Sequence, residues 1–188
     1  MVERDFLKEW EEKPMRQPCI SKVVVNFGVG TAGPKLETAK TLCQRLIDQK
    51  PLETRAKKTE RGWGITKNQP IGLKVTLRGE KAIEFLKQVL WAKEDVIYRK
   101  NFDEYGNLSL GIKEHLDLPN IRYDPRIGTH GFDISVILER PGYRVKRRRN
   151  QRRKIPGKHL LTREEGIAFF QSQFSVKVLD EPPIEPEW

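Results

Sequence analysis

Three stretches of this chain alternate apolar and polar residues with period two, and nothing else in the sequence constrains the fold as strongly. The clearest is Ile71 to Arg78 (IGLKVTLR). Ile71, Leu73, Val75 and Leu77 fall on one side, and Gly72, Lys74, Thr76 and Arg78 on the other. In KVVVNFGV (Lys22 to Val29), Val23, Val25 and Phe27 share one side, while Lys22, Val24 and Asn26 share the other. In FDISVILE, Phe132, Ile134, Val136 and Leu138 point inward. Successive side chains of a strand point to opposite faces, so period two predicts strands with one buried and one wet face. Strands of that kind belong to antiparallel sheets, because parallel sheets bury both faces.

Between these strands the period changes to that of a helix. Leu36, Ala39, Leu42, Cys43, Leu46 and Ile47 form a stripe from about Pro34 to Asp48, with Pro34 suited to a first helical position. Ile83, Leu86, Val89 and Leu90 form another from about Glu80 to Trp91. Thr162-Arg163-Glu164-Glu165 is a capping box that opens a last helix reaching about Phe174, before a short VKVL strand. Strand and helix do not alternate regularly. The expected class is therefore α+β, an antiparallel sheet with helices on one face and the other face open, polar and basic. Residues 1–21 read as an irregular lead-in, 22–179 as a single domain, and 180–188 as an acidic, Pro-rich tail. Within the domain, residues 55–70 read as a basic loop, two strand-like arms around a mobile tip, and 113–131 as loop.

Charge supplies the first functional constraint. Lys and Arg number 36 and Asp and Glu 26. From Arg140 to Lys158 there are ten basic residues and no acid; the rest of the chain is neutral. So dense a run repels itself and calls for an acidic partner, and its lack of an apolar face suits phosphate backbones better than a membrane surface. Unbound, the run is expected to be disordered and to order on its partner. No apolar run approaches the roughly 20 residues of a membrane helix. The first ten residues carry acids where a signal peptide is apolar. Two cysteines, Cys19 and Cys43, make neither a disulfide scaffold nor a four-ligand zinc site, which fits a cytosolic setting.

One motif suggests an enzyme. Gly28-Val29-Gly30-Thr31-Ala32-Gly33 is a GxGxxG between a strand and a helix, with Glu53 twenty residues beyond Gly33, as in dinucleotide-binding folds. Three features oppose that reading. Pro34 would fall in the first turns of a helix that begins within the glycines. Residues 51–56 offer almost no apolar strand, and the later elements do not continue a β-α-β-α order. A glycine turn is the simpler reading. His115, His130 and His159 lie at no metal-ligand spacing, and the Glu114-His115-Leu116-Asp117 cluster reads as a hydrogen-bonded loop. We expect no catalytic site, cofactor or metal.

Longer strings carry a resemblance. They are KVVVNFGVG (22–30), DQKP (48–51), RAKKT (55–59), QPIGLKVTLRGEKAIEFL (69–86), NFDEYGNLSLGIKEH (101–115), YDPRIGTHGFDISV (123–136), RPGYRVKRRR (140–149) and KHLLTREE (158–165). In order and over nearly the whole chain, they resemble the 5S rRNA-binding L-five family of large-subunit ribosomal proteins. RPGYRV with its basic run is similar to the archaeal and eukaryotic branch.

The resemblance implies a non-enzymatic, cytoplasmic constituent of the ribosome, seated in the central protuberance. It implies 5S rRNA contacts at Asn26, Gln49, Thr76 and Arg78. The alternation independently sets Asn26, Thr76 and Arg78, with Lys74, on polar strand faces, where amide, hydroxyl and cationic donors suit phosphates and 2′-hydroxyls. The loop of Lys58, Arg61, Trp63, Ile65 and Lys67 resembles an arm that reaches P-site tRNA, with Trp63 either stacking on RNA or docking on its own protein. Tyr123, Asp124, Arg126 and His130 resemble a loop bridging to a protein of the small-subunit head. Arg144, Lys146, Arg147, Arg148, Arg149, Arg152, Arg153 and Lys154 would meet large-subunit rRNA, tRNA or neighbouring proteins, other 5S-binding proteins among the partners. No membrane is expected as a partner. Two competing readings are a dinucleotide-dependent enzyme and a generic RNA chaperone that shows no preference for 5S rRNA.

Overall fold

The computed structural model describes residues 6–119 and 121–180, so the expected acidic tail lies, beyond its first residue, outside the described residues. The three alternating segments are strands, at Cys19–Gly28 (β1), Pro70–Leu77 (β3) and Phe132–Glu139 (β6). With Leu52–Arg55 (β2) and Leu108–Ile112 (β5) they form a five-stranded sheet in the order β2-β3-β1-β6-β5. β3 pairs antiparallel with both β1 and β2. The mixed helices and antiparallel pairing make the class α+β, as the patterning predicts.

The chain divides into two compact units. The first holds residues 23–92 and 110–135. Its helices are Pro34–Ile47 (α2) and Glu80–Ala92 (α3). Leu36, Ala39, Leu42, Cys43 and Ile47 are buried on α2, and burial pushes the Cys43 thiol up to about 11, as for an inert core residue. On α3 the buried stripe is Ala82, Phe85, Leu86, Val89 and Leu90. The expected stripe member Ile83 is exposed instead. Ala82 occupies its place in the i, i+3, i+4, i+7 series, and a small residue announces a core position weakly. Phe132 joins this core, its ring 5.0 Å from Phe27 and 6.5 Å from Phe85.

The second unit holds residues 6–22, 93–109 and 136–180. Its lead-in is not irregular as expected. Phe6–Glu12 (α1) is helical, Phe6 stacks on Trp10 at i, i+4, and Trp10 is buried. Seven residues are too few to display a stripe, so the pattern passes for a lead-in. Val96–Tyr98 (β4) pairs in parallel with Lys177–Leu179 (β7). Arg144–Arg147 (α4) is one turn of helix, and Arg163–Phe174 (α5) opens on the predicted capping box at Thr162. Phe102, Phe169 and Phe174 all pack against Phe170.

Two motifs lock this unit together. The Asp103 carboxylate accepts from the backbone N–H groups of Tyr105 (2.9 Å) and Asn107 (2.7 Å), which tightens the turn at Gly106. That turn lies against α5 so closely that a Cβ on Gly166 would stand 2.5 Å from the Gly106 carbonyl oxygen. Arg140, from the RPGY string, is 3% exposed. Its guanidinium pairs with Glu165 and donates to the carbonyls of Arg16 (2.8 Å) and Leu160 (3.2 Å). Glu165 is also the acceptor of the capping box, taking the Thr162 N–H at 2.9 Å.

Candidate nucleic-acid interface

The sheet register assembles the first candidate surface within the first unit. Val24 faces Thr76, and Asn26 faces Lys74, which in turn faces Leu52. Residues opposite one another share a face, so these side chains stand on the wet side while Val23, Val25, Leu73 and Val75 are buried. Asn26 and Lys74 are exposed, Thr76 is half-buried, and Arg78 is exposed just past the end of β3. Gln49 is exposed between α2 and β2, next to Asp48, whose left-handed backbone ends the helix. The group offers amide, hydroxyl, ammonium and guanidinium donors.

Sequence reading missed two neighbours on this face. Leu52 is 69% exposed beside Lys74, and Thr54 pairs with Gly72. A Cβ on Gly72 would come within 2.9 Å of the Thr54 hydroxyl, so the glycine gives that hydroxyl room. LETR is too short to show a period, and only its pairing with β3 reveals which side it presents.

The loop of residues 55–70 is a structured extension of β2 and β3. Ala56 and Gln69, then Glu60 and Ile65, bond across it, and Arg61–Trp63 forms a 3-10 turn at its tip. Lys58, Arg61 and Lys67 are exposed, and Ile65 is half-buried. Trp63 is 78% exposed, so it does not dock on its own protein. An indole held in water at the tip of a basic hairpin is available for stacking.

The Tyr123–His130 segment divides by role. Tyr123 and Arg126 are exposed. Asp124 instead holds the loop: it pairs with Arg45 at 2.9 Å and accepts the Arg126 N–H at 3.0 Å, and Arg45 keeps its carboxyl below the usual range. The His130 ring is bonded to the Ile127 carbonyl at 3.1 Å, while its backbone N–H donates to Nδ1 of buried His115 at 3.3 Å. His115 is thus the hydrogen-bonded core residue expected of its cluster. Burial, and secondarily His130, hold its pKa below 6.5. The folded protein then binds this proton more weakly than the unfolded chain does. His115 contributes full stability above pH 6.5, and the contribution is lost as pH falls from there toward the depressed folded value. We expect a lower urea midpoint at pH 5.5 than at pH 7.5, and a smaller difference in His115→Gln. An equal difference in both proteins would assign the titration to other groups.

The basic segment lies in the second unit. Arg147 pairs with Glu139 at 2.8 Å, and Arg148 Nε donates to the Gln151 carbonyl at 3.0 Å. Both are partly committed to the protein itself. Arg144, Lys146, Arg149, Arg152, Arg153 and Lys154 are exposed, and among the described residues none of their side chains is within 4 Å of a carboxylate.

The GxGxxG is a turn. α2 begins at Pro34, after the last glycine, with Gly33 at its N-cap. β1 and β2 are separated by β3 rather than adjacent, so no βαβ crossover binds the strand to its neighbour. Glu53, the position of a ribose-binding acid, is held by Lys40 at 3.0 Å. Among the described residues there is no group of side chains suited to a metal, and no helix is long and apolar enough to cross a membrane.

Comparison with known proteins identifies the family. The family described as ribosomal protein L5 matches residues 13–66, and the model of that ribosomal family's C-terminus matches residues 70–169. The large ribosomal subunit protein uL5 of Methanococcus aeolicus is 47% identical over 180 residues, 94% of this chain and 99% of the relative. Proteins of the same name from Methanococcus maripaludis and Methanococcus vannielii are each 46% identical over 179 residues, with the same coverage. These relatives are archaeal, in keeping with the branch that the basic run resembles. Two family models in tandem and near full-length identity establish that this chain belongs to the ribosomal L5 family.

Proposed function

We propose that this protein anchors 5S rRNA in the central protuberance of the large ribosomal subunit, and that the open face of β1, β3 and β2 sets the register. One observation carries the reading: Asn26, Lys74 and Thr76 stand together on one wet strand face, with Arg78 exposed at its end. Phosphate contacts position a protein on RNA, and hydroxyl and amide groups exchange hydrogen bonds with 2′-hydroxyls. As a member of a ribosomal family, the protein works in the cytoplasmic ribosome and not as an enzyme. The exposed Trp63, with Arg61, Lys58 and Lys67 around it, supports contact between the hairpin tip and P-site tRNA. Exposed Tyr123 and Arg126 support a bridge to a small-subunit head protein, on a loop that Asp124 and His130 hold in shape. The basic segment supplies salt-dependent affinity for large-subunit rRNA. Other 5S-binding ribosomal proteins are further partners on the same RNA.

The test is a binding titration of nuclease-treated protein with 5S rRNA and with a structured RNA of matched length, each at two salt concentrations. Preference for 5S rRNA that persists at the higher salt is the expected result. Equal binding that collapses with salt would leave only a basic, non-selective RNA contact.

A further inference from the structure

The basic segment is more than a track of charge, because it lines a groove of about 750 Å³ in the second unit. Ile137, Leu138, Leu160 and Leu161 give the groove an apolar lining, and Tyr105, Tyr143 and Ile155 also face it. Lys146, Arg152, Arg153 and Lys154 supply four cations. The single carboxylate, Glu139, is already held by Arg147. Phosphates along a duplex could neutralise the four cations but would leave the aromatic and aliphatic lining without a ligand.

We propose that this groove takes an unstacked nucleotide of a single-stranded RNA segment. Its base lies against Tyr143 and Ile155, and its flanking phosphates lie on Lys146, Arg152, Arg153 and Lys154. The inference rests on the reading of this segment as an RNA contact and names the kind of RNA it takes. The volume falls within the roughly 300–1,000 Å³ usual for small-ligand sites, which admits a nucleotide and excludes a duplex. Tyr143 is fixed in advance. Its hydroxyl donates to the His159 carbonyl at 3.2 Å, and its ring meets that of His159 edge-on at 5.8 Å. A ring already held loses little freedom when a base stacks on it. Aromatic rings set among cations are how proteins hold single strands, the rings taking bases and the cations tracking the backbone.

The experiment measures binding of a fluorescein-labelled 12-nucleotide oligouridine and of a 12-base-pair RNA duplex by anisotropy. Wild-type protein is expected to bind the single strand about tenfold more tightly, a margin within that of one stacked base. Tyr143→Leu should weaken single-strand binding by about 5- to 100-fold and leave duplex binding and the salt slope unchanged. Tyr143→Phe, which keeps the ring, should bind like wild type. Should Tyr143→Leu fail to fold, 4-thiouridine cross-linking on the wild-type chain still decides, with adducts expected at Tyr143 or Tyr105. Adducts that never fall on either tyrosine, unchanged binding by folded Tyr143→Leu, or equal affinity for the two RNAs would overturn the groove and leave the RNA reading of the segment intact. Tighter binding of a glutamate-tyrosine peptide than of oligouridine, sensitive to Tyr143→Leu, would replace the nucleotide with an acidic protein partner. Binding of neither RNA by wild type would overturn both readings.

Discussion

Replacing Arg140 with methionine is expected to lower folding stability by about 3–5 kcal/mol, the usual cost of stranding one member of a buried ion pair. Arg140 and Glu165 are both buried, and the guanidinium also satisfies the carbonyls of Arg16 and Leu160. Methionine fills much of the arginine's volume, so the loss comes mainly from a carboxylate left in a dry site with only the Thr162 N–H as partner. The double variant Arg140→Met/Glu165→Gln removes the stranded charge and should recover a large part of the loss. Urea unfolding of the two single variants and the double variant measures the coupling. Additive losses, with no recovery in the double variant, would show that the pair is not a unit. Because the pair holds residues flanking the basic segment, Arg140→Met should also weaken RNA binding by that segment at temperatures near its melting point.

The second large effect concerns recognition. Changing Lys74 and Arg78 together to alanine is expected to weaken 5S rRNA binding by about 3–6 kcal/mol, at about 1.5–3 kcal/mol for each charge-assisted hydrogen bond. Lys74 is exposed in the middle of β3 and Arg78 is exposed beyond its end, so neither truncation opens a cavity or strands a buried partner. The melting temperature should stay near that of wild type, and the salt slope should fall by about 1.4–1.8, as for two lost phosphate contacts. Wild-type affinity for 5S rRNA in the double variant would place the RNA elsewhere on the protein. Arg147→Gln is a useful contrast. Its guanidinium already faces Glu139, so its removal should change RNA affinity less than the loss of Arg152 or Arg153 does.

How much of this was legible in advance depended on the range of each interaction. β3, β6, α2 and α5 were readable because alternation, a helical stripe and a capping box are local signals, written within about a dozen residues. The open polar face followed from the same alternation, and Asn26, Lys74 and Thr76 were found that way. α1 escaped because two aromatic residues over seven positions make no period, and Ile83 was misplaced because Ala82 takes the core position beside it. Trp63 had two readings, stacking on RNA and, less favoured, docking on its own protein, and only the hairpin geometry around Glu60 and Ile65 put the indole in water.

Composition, charge placement and strand period determined the class of fold, the side of the sheet left wet and the segment that needs an acidic partner. Each depends on residues near one another in the chain. Tertiary structure alone decided that Leu52 and Thr54 join the wet face, that Arg147 is spent on Glu139, and that Arg140 closes on Glu165. It also decided that Tyr143 and four cations enclose a groove. The sheet neighbours and the Arg140–Glu165 pair depend on strand register and on residues far apart in sequence; Arg147 and Glu139, like Tyr143 and its cations, are nearer in the chain but meet only where the backbone turns them together. The energy of such a contact depends on how the folded backbone brings two side chains together, which no periodic pattern records.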